Sequence, residues 1–176
     1  MKLGDIMEKM FKIGENEYSL KNKIGFDEDK ASYLVTNEGE DYLLEEYLDS
    51  ELLEMYVENT CDLVASQIPM LNLIELDAYQ KMLVKEYKEG KSLYYMILDG
   101  EDISNYIEQI KVMAEEMKKE DLALDFFPTN FIVVDNKVYY TSFEIFELDE
   151  NTSLENNMKF FSKTKEFDDY VKHHSR

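Results

Sequence analysis

The chain has 176 residues, of which 39 are acidic and 19 are basic, so 39 − 19 leaves a formal net charge of −20. That excess argues against a surface for nucleic acid or anionic membranes, because phosphate binding depends on clustered Lys and Arg. A hydrophobic fraction of 44% and an aromatic fraction of 13% are typical of a folded chain with a core, and they exclude a disordered acidic tail.

Cysteine and histidine are scarce, which limits the chemistry. Cys61 is the single cysteine, and the two histidines are His173 and His174. An internal disulfide and a structural zinc site of the four-cysteine or Cys₂His₂ type are therefore excluded. The sequence also lacks a signal-like apolar segment at its start and an apolar run long enough to span a membrane, so we expect a cytoplasmic protein.

The first half of the chain predicts a small antiparallel sheet with one inserted helix. The spacing of apolar residues predicts a short amphipathic helix over residues 3–11. Strands are predicted over residues 17–24, 31–36, 42–47, 72–79 and 82–87. A longer helix is predicted over residues 50–67, capped by Asp49 or Ser50 and ended by Pro69. Its apolar stripe is Leu53, Tyr56, Val57, Cys61, Val64 and Ile68.

The second half alternates helices with short strands. A strongly periodic helix is predicted over residues 102–119, and two strands joined by a tight turn follow over 131–134 and 138–140. Thr152 and Glu155 form a capping-box pattern for a helix over 153–162, and Thr164 could cap a last helix. Together the elements predict the α+β class.

One segment carries a resemblance to a known family. It reads Ala123-Leu124-Asp125-Phe126-Phe127-Pro128-Thr129-Asn130, and a strand, a turn, a strand and Ser142-Phe143-Glu144 follow it. This order resembles the catalytic loop and metal-binding motif of kinase-like phosphotransferases of the aminoglycoside-phosphotransferase and choline-kinase type. The resemblance implies a minimal two-lobe protein-kinase-like fold.

In that fold, residues 1–88 would form an N-lobe, an antiparallel sheet with an αC-like helix at 50–67. Residues 89–176 would form a truncated helical C-lobe that contains the catalytic-loop-like segment 123–144.

The resemblance also implies roles for individual residues. Asp125 matches the catalytic base, and Asn130 matches the metal-binding amide. Ser142 stands where the family has a metal-binding aspartate, and Glu144 could replace the missing carboxylate. Lys85 is a candidate anion contact on the strand that leads to the hinge. The alternative is structural, since Asp and Asn side chains often hydrogen-bond locally and a strand lysine is often only solvated.

Several departures from the family pattern predict lost catalysis. Ala123 replaces the histidine of the loop, and the hydroxyl of Ser142 is a far poorer magnesium ligand than a carboxylate. Glu45 or Glu46 stands where a nucleotide-binding lysine would lie. Gly25 is the single glycine between the first two predicted strands, and the acidic run 27–29 beside it would repel phosphates.

We therefore expect a pseudokinase that acts as a binding or interaction module, with an unidentified protein partner and no cofactor. One alternative is a small-molecule phosphotransferase with rearranged metal ligands, which would use Mg-ATP. Another is an acidic protein that sequesters a basic partner, an interpretation based on charge alone. Neither nucleic acid nor membrane is expected as a partner.

Overall fold

The computed structural model describes residues 9–26 and 29–174 of the chain. The chain divides into two compact units, and the division runs through its first helix. The first unit comprises the residues up to Met55 together with Leu71–Tyr87, and the second comprises Tyr56–Met70 and the residues from Lys88 onward. The lobe boundary that the sequence predicts at residue 88 stays a prediction.

A curled antiparallel sheet forms the first unit. Its six strands lie in the order β1-β2-β3-β4-β6-β5. Their bounds are Met10–Ile13 (β1), Asn16–Phe26 (β2), Lys30–Asn37 (β3), Glu40–Tyr47 (β4), Leu73–Asp77 (β5) and Met82–Glu86 (β6). Helix α1, Ser50–Ala65, lies between β4 and β5 in the chain. The α+β class is thus confirmed, and the predicted strands are present.

The helix predicted over residues 3–11 is wrong where it can be checked. Residues 3–8 lie outside the described residues, as do Asp27 and Glu28 of the acidic run. Met10 and Phe11 belong to strand β1, in which buried Phe11 and Ile13 alternate with exposed neighbours. Gly14, at φ +58°, supplies the left-handed turn that folds β1 back onto β2, so hairpin pairing overrides the weak helical pattern.

One face of the sheet carries the core of the first unit. Leu44 of β4 pairs across the ladder with Tyr33 of β3 and with Val84 of β6, and all three are buried. Phe11 packs on Tyr33 with ring centroids 4.9 Å apart. Because strand side chains alternate, the neighbours of Leu44 and Val84 point to the opposite face, and these neighbours are Glu45 and Lys85.

Side chains link the β5 end of this curled sheet to its β1–β2 end. The carboxylate of Glu75 on β5 accepts hydrogen bonds from Asn16 Nδ2 at 2.7 Å and from Tyr18 Oη at 2.5 Å. Gln80 Nε2, just after β5, donates to the carbonyl oxygen of Lys12 on β1 at 2.8 Å. Strand β5 is thus bonded to β2, and the turn after β5 is bonded to β1.

Helix α1 confirms the predicted span but not the whole predicted stripe. Leu53 and Tyr56 are buried as predicted, whereas Cys61 is exposed and Val64 is 63% exposed. Leu63 is fully buried in their place. The sequence of this region contains apolar residues on more than one side, so periodicity alone could not choose between Leu63 and Val64.

The second unit is mainly helical with short strands. Its helices after α1 are Leu93–Leu98 (α2), Ser104–Lys118 (α3), Leu154–Asn157 (α4) and Lys165–His174 (α5). Its strands are Lys91–Ser92 (β7), Leu122–Leu124 (β8), Phe131–Val134 (β9), Lys137–Tyr140 (β10) and Ile145–Glu147 (β11). The strands form a sheet in the order β10-β9-β7 and a separate pair β11-β8.

The core of this unit lies along α3, as its periodicity predicts. Ile110 and Met117 are fully buried, and so are Phe131 and Tyr140 of the β9–β10 hairpin. The helix predicted over 153–162 is shorter, since only α4 and a single 3₁₀ turn form there. Its cap is the Ser153 hydroxyl, which accepts the Asn156 N–H, and not Thr152, whose hydroxyl donates to the carbonyl of Glu147.

Within residues 9–26 and 29–174, none of the helices combines the length and the apolar character needed to cross a bilayer.

Gly90 is a position where the backbone is closely approached. A methyl group added at Gly90 would lie 2.8 Å from the carbonyl oxygen of Val133 and 2.8 Å from Val134 Cγ2. We predict that Gly90→Ala lowers the free energy of unfolding by about 1–3 kcal/mol, because the backbone of β9 must shift. Urea unfolding followed by circular dichroism measures this.

Gly25→Ala is the matched control, because no atom lies within 4 Å of the added methyl group there. Equal losses for the two variants would contradict the close-approach explanation for Gly90.

Candidate functional site

Strand pairing brings Asp125 and Glu144 together. Leu124, the last residue of β8, pairs with Ile145, the first residue of β11. Since the pair is antiparallel, Asp125, which follows Leu124, lies beside Glu144, which precedes Ile145. The two carboxyl groups are close enough for both charge interaction and hydrogen bonding.

A buried tyrosine that sequence analysis does not predict as a site residue holds the backbone of this region in place. Tyr140, the last residue of β10, is fully buried, and its hydroxyl accepts the N–H of Asp125 at 3.1 Å. The same hydroxyl donates to the carbonyl oxygen of Glu144 at 2.6 Å. One side chain thus fixes the backbone beside both carboxylates. The available signal was weak: a buried Tyr needs a polar partner, but the sequence does not say which one.

Asn130 and Ser142 both make local hydrogen bonds. Asn130 Nδ2 donates to the backbone carbonyl of Asp125 at 3.1 Å, which closes the loop that runs from 125 to 130. The hydroxyl of Ser142 accepts the N–H of Glu144 at 3.2 Å. Of the five predicted site residues, the structure brings these two together with Asp125 and Glu144, all in the second unit.

Asp125 is an unusually weak acid in this environment. Burial raises the pKa of its carboxyl, the amide of Asn130 opposes that rise, and the nearby Glu144 carboxylate adds to it, so that the pKa is about 6. Burial likewise raises the pKa of Tyr140. Near neutral pH the Asp125 carboxylate can therefore accept a proton more readily than an ordinary aspartate.

An open cavity of about 260 Å³ lies beside Asp125. Its walls combine apolar and amide side chains, with one carboxylate. The lining residues are Leu124, Asp125, Phe126, Phe127, Phe146, Asn151, Thr152 and Asn157. A small polar ligand with an apolar part would match this lining.

Lys85, the fifth predicted site residue, lies in the first unit and pairs with a buried carboxylate. Glu45 is 3% exposed, and its Oε2 lies 3.1 Å from Lys85 Nζ. Lys30 Nζ lies 2.7 Å from Glu45 Oε1, and Tyr47 Oη donates to Glu45 Oε2 at 3.0 Å. We call these four residues the Glu45 cluster. Glu46 points to the other face, where its carboxylate accepts the Tyr33 hydroxyl at 3.3 Å.

The Glu45 cluster keeps its carboxylate ionised. Burial is the largest influence on Glu45 and would raise its pKa, but Lys85 and Lys30 together outweigh burial and lower the pKa to about 2. Lys85 is only 4% exposed, so it is not the solvated strand residue of the alternative interpretation.

Oxygen ligands for a metal ion would come from Asp125, Glu144 and the side-chain carbonyl of Asn130. In the part of the chain that the structure describes, no group of three or more His, Cys, Asp or Glu side chains is arranged to hold a metal.

No protein-family model matches the chain, and no curated protein matches it. The resemblance to kinase-like phosphotransferases therefore stays a prediction from the loop motif.

The Glu45 cluster predicts a specific pH dependence of stability. The folded pKa of about 2 lies below the ordinary value of 4.5, so the cluster stabilises the fold above about pH 4.5 and loses this effect as the pH falls toward 2. We predict that Glu45→Gln costs about 3–5 kcal/mol of unfolding free energy at pH 7, because two lysines lose a buried partner. Urea unfolding between pH 3 and pH 7 measures the difference from the native chain, which should shrink at the acid end.

Glu40→Gln, at the exposed start of the same strand, is the control and should change stability by less than about 0.5 kcal/mol. A Glu45→Gln cost that is constant from pH 7 to pH 3 would contradict the ion-pair explanation.

For Asp125 we predict a pH dependence of stability opposite in sign to that of Glu45. Its folded pKa of about 6 lies above the ordinary value of 3.8, so the ionised carboxylate destabilises the fold above pH 6 and this cost disappears as the pH falls toward 4. Asp125→Asn should therefore raise the unfolding free energy by about 1–2 kcal/mol at pH 7.5. This is less than the full pKa shift of Asp125 corresponds to, because the carboxyl group is partly exposed to solvent.

At pH 4 the Asp125→Asn variant and the native chain should unfold at the same urea concentration. Asp62→Asn, an exposed acid-to-amide change on α1, serves as the control and should show no such pH dependence. Destabilisation of Asp125→Asn at pH 7.5 would mean that the carboxylate is a structural acceptor.

Proposed function

We propose that the chain is a catalytically inactive kinase-like domain, a pseudokinase, in which a minimal two-lobe fold serves as a binding or interaction module. The proposal joins the loop motif 123–144 to the contacts around Glu45, Asp125 and Ser142. The proposal includes the two-lobe kinase-like fold, because the family resemblance rests on the same motif.

The Glu45 cluster is the observation that carries the proposal. By the resemblance, a nucleotide-binding lysine would lie on β4, where this chain has Glu45 or Glu46, and of the two it is Glu45 that contacts lysines. The nearby lysines, Lys30 and Lys85, are both bonded to this carboxylate. Moving either lysine to a phosphate would take a partner from a buried charge, at a cost of about 3–5 kcal/mol. Such a cost opposes use of these lysines for a nucleotide.

The second unit supports the same conclusion. Phosphoryl transfer depends on groups that neutralise and position phosphate and magnesium. Ser142 replaces a carboxylate at the predicted metal position, and its hydroxyl accepts the Glu144 N–H. The Asn130 amide group donates within its own loop. These polar groups stabilise the local backbone.

A phosphotransferase with rearranged ligands is the second candidate, and one observation favours it. The pKa of Asp125 is about 6, which suits a general base near neutral pH, and Glu144 is a second carboxylate beside it. In this mechanism Asp125 would accept the proton of an attacking hydroxyl, and Glu144 with Asn130 would hold Mg²⁺.

Thermal unfolding with nucleotide separates the two candidates. We predict that ATP with Mg²⁺ changes the Tm no more than Mg²⁺ alone does. The reason is that the lysines near Glu45 are already paired. Concentrations on the order of 5 mM ATP and 10 mM Mg²⁺ are high enough to give a measurable shift even at a millimolar Kd. Differential scanning fluorimetry measures the Tm.

A matched assay with radiolabelled ATP detects any transfer. A Tm increase that requires both ATP and Mg²⁺, together with phosphoryl transfer that Asp125→Ala abolishes, would overturn the pseudokinase proposal and establish the phosphotransferase.

A further inference from the structure

The last helix of the chain packs against the loop that contains Asp125. Helix α5 is amphipathic: Phe167 is fully buried and Tyr170 is 8% exposed. Its remaining face is polar and charged, with Lys165, Glu166, Asp168, Asp169, Lys172 and His173. The Thr164 hydroxyl accepts the Phe167 N–H at 3.1 Å and so caps the helix at its start.

Tyr170 makes two kinds of contact with the loop. Its ring stacks on Phe127 with centroids 5.1 Å apart and planes inclined by only 3°. Its hydroxyl shares a hydrogen bond of 2.8 Å with the hydroxyl of Thr129. Phe160 packs against both rings, 4.9 Å from Phe127 and 6.0 Å from Tyr170. The loop is thus held by stacking and by a hydrogen bond from one side chain.

The loop transmits these contacts to the candidate site because it is short and internally bonded. The Asn130 N–H donates to the carbonyl of Phe127 at 2.9 Å, and Asn130 Nδ2 donates to the carbonyl of Asp125. Phe127 also forms a wall of the 260 Å³ cavity beside Asp125. A displacement of Phe127 would therefore change the cavity and the backbone of both site residues.

We infer that helix α5 is a clamp on the candidate site: through Tyr170 it holds the 125–130 loop and the cavity wall in place, and its release opens both. Tyr170 is a positioning residue in this device. The inference rests on the contacts of α5 and holds whether or not the site binds nucleotide.

Amide hydrogen exchange, measured residue by residue by NMR, tests the clamp. The reporters are the amides of Asp125, bonded to Tyr140 Oη, and of Asn130, bonded to the Phe127 carbonyl. Tyr170→Phe keeps the stack and loses the hydrogen bond, so exchange at both amides should rise about fivefold; Tyr170→Ala loses both contacts and should give about thirtyfold or more. Amides in the middle of α3 open only with the whole fold, so their exchange should rise by no more than the measured loss of unfolding free energy allows.

The reverse substitution and a matched control complete the test. Phe127→Ala should speed exchange in α5, whereas Tyr79→Ala, which removes a 96% exposed tyrosine of the first unit, should leave the loop unchanged. If Tyr170→Ala unfolds the whole unit, Tyr170→Phe and Thr129→Val decide, and each should raise loop exchange equally. Native exchange rates at Asp125 and Asn130 in these variants would overturn the clamp. Because no nucleotide is present, this result is independent of the ATP experiment.

Discussion

Keeping Glu45 ionised away from water constrains the first unit more than any other single requirement. A buried carboxylate is tolerated only with charged partners, and the sheet register supplies one from each side. Ser32 of β3 and Leu83 of β6 flank Glu45, which places Lys30 and Lys85 two residues away along those strands and on the same face. A one-residue slip of either strand would move its lysine to the opposite face, so the ion pairs and the register specify each other.

In the second unit, the hydroxyl group of Tyr140 fixes the backbone beside two acidic residues. Tyr140 is both a large core side chain and the hydrogen-bonding partner of two backbone segments that carry acidic residues. Its position at the end of β10 couples the packing of the unit to the placement of Asp125 and Glu144. Stability and site geometry therefore depend on the same side chain, and a change that disturbs one will disturb the other.

The sequence predicts the strongly patterned elements well and the tertiary contacts poorly. Helix α3 follows from long 3.6-residue periodicity. In the structure the turn between β3 and β4 is Glu38-Gly39, and both residues adopt positive φ, as a two-residue hairpin turn requires. Strand β1 does not follow from the sequence, because its four residues form a strand only by pairing with β2. Strand β8 has three residues, too few for a period to register.

The candidate site divides in the same way. The grouping of Asp125, Asn130, Ser142 and Glu144 was predictable from a motif with fixed spacing. The partners of Glu45 and the role of Tyr140 were not, because they depend on strand register and on which buried atoms meet. The local sequence contains information about turns and hydrophobic periodicity, whereas the pairing of strands that are distant in the chain depends on tertiary packing.

The side-chain hydrogen bonds that link β5 to β2, and the turn after β5 to β1, have a consequence for behaviour in concentrated solution. An outer strand with free peptide groups is a template on which another chain can add a strand, and such addition begins ordered aggregation. Here Glu75 of β5 is bonded to Asn16 and Tyr18 of β2, and Gln80 is bonded to the backbone of β1. Replacing Glu75 by an apolar residue would remove the partner of the buried Tyr18 hydroxyl and, with it, a guard against edge-to-edge polymerisation.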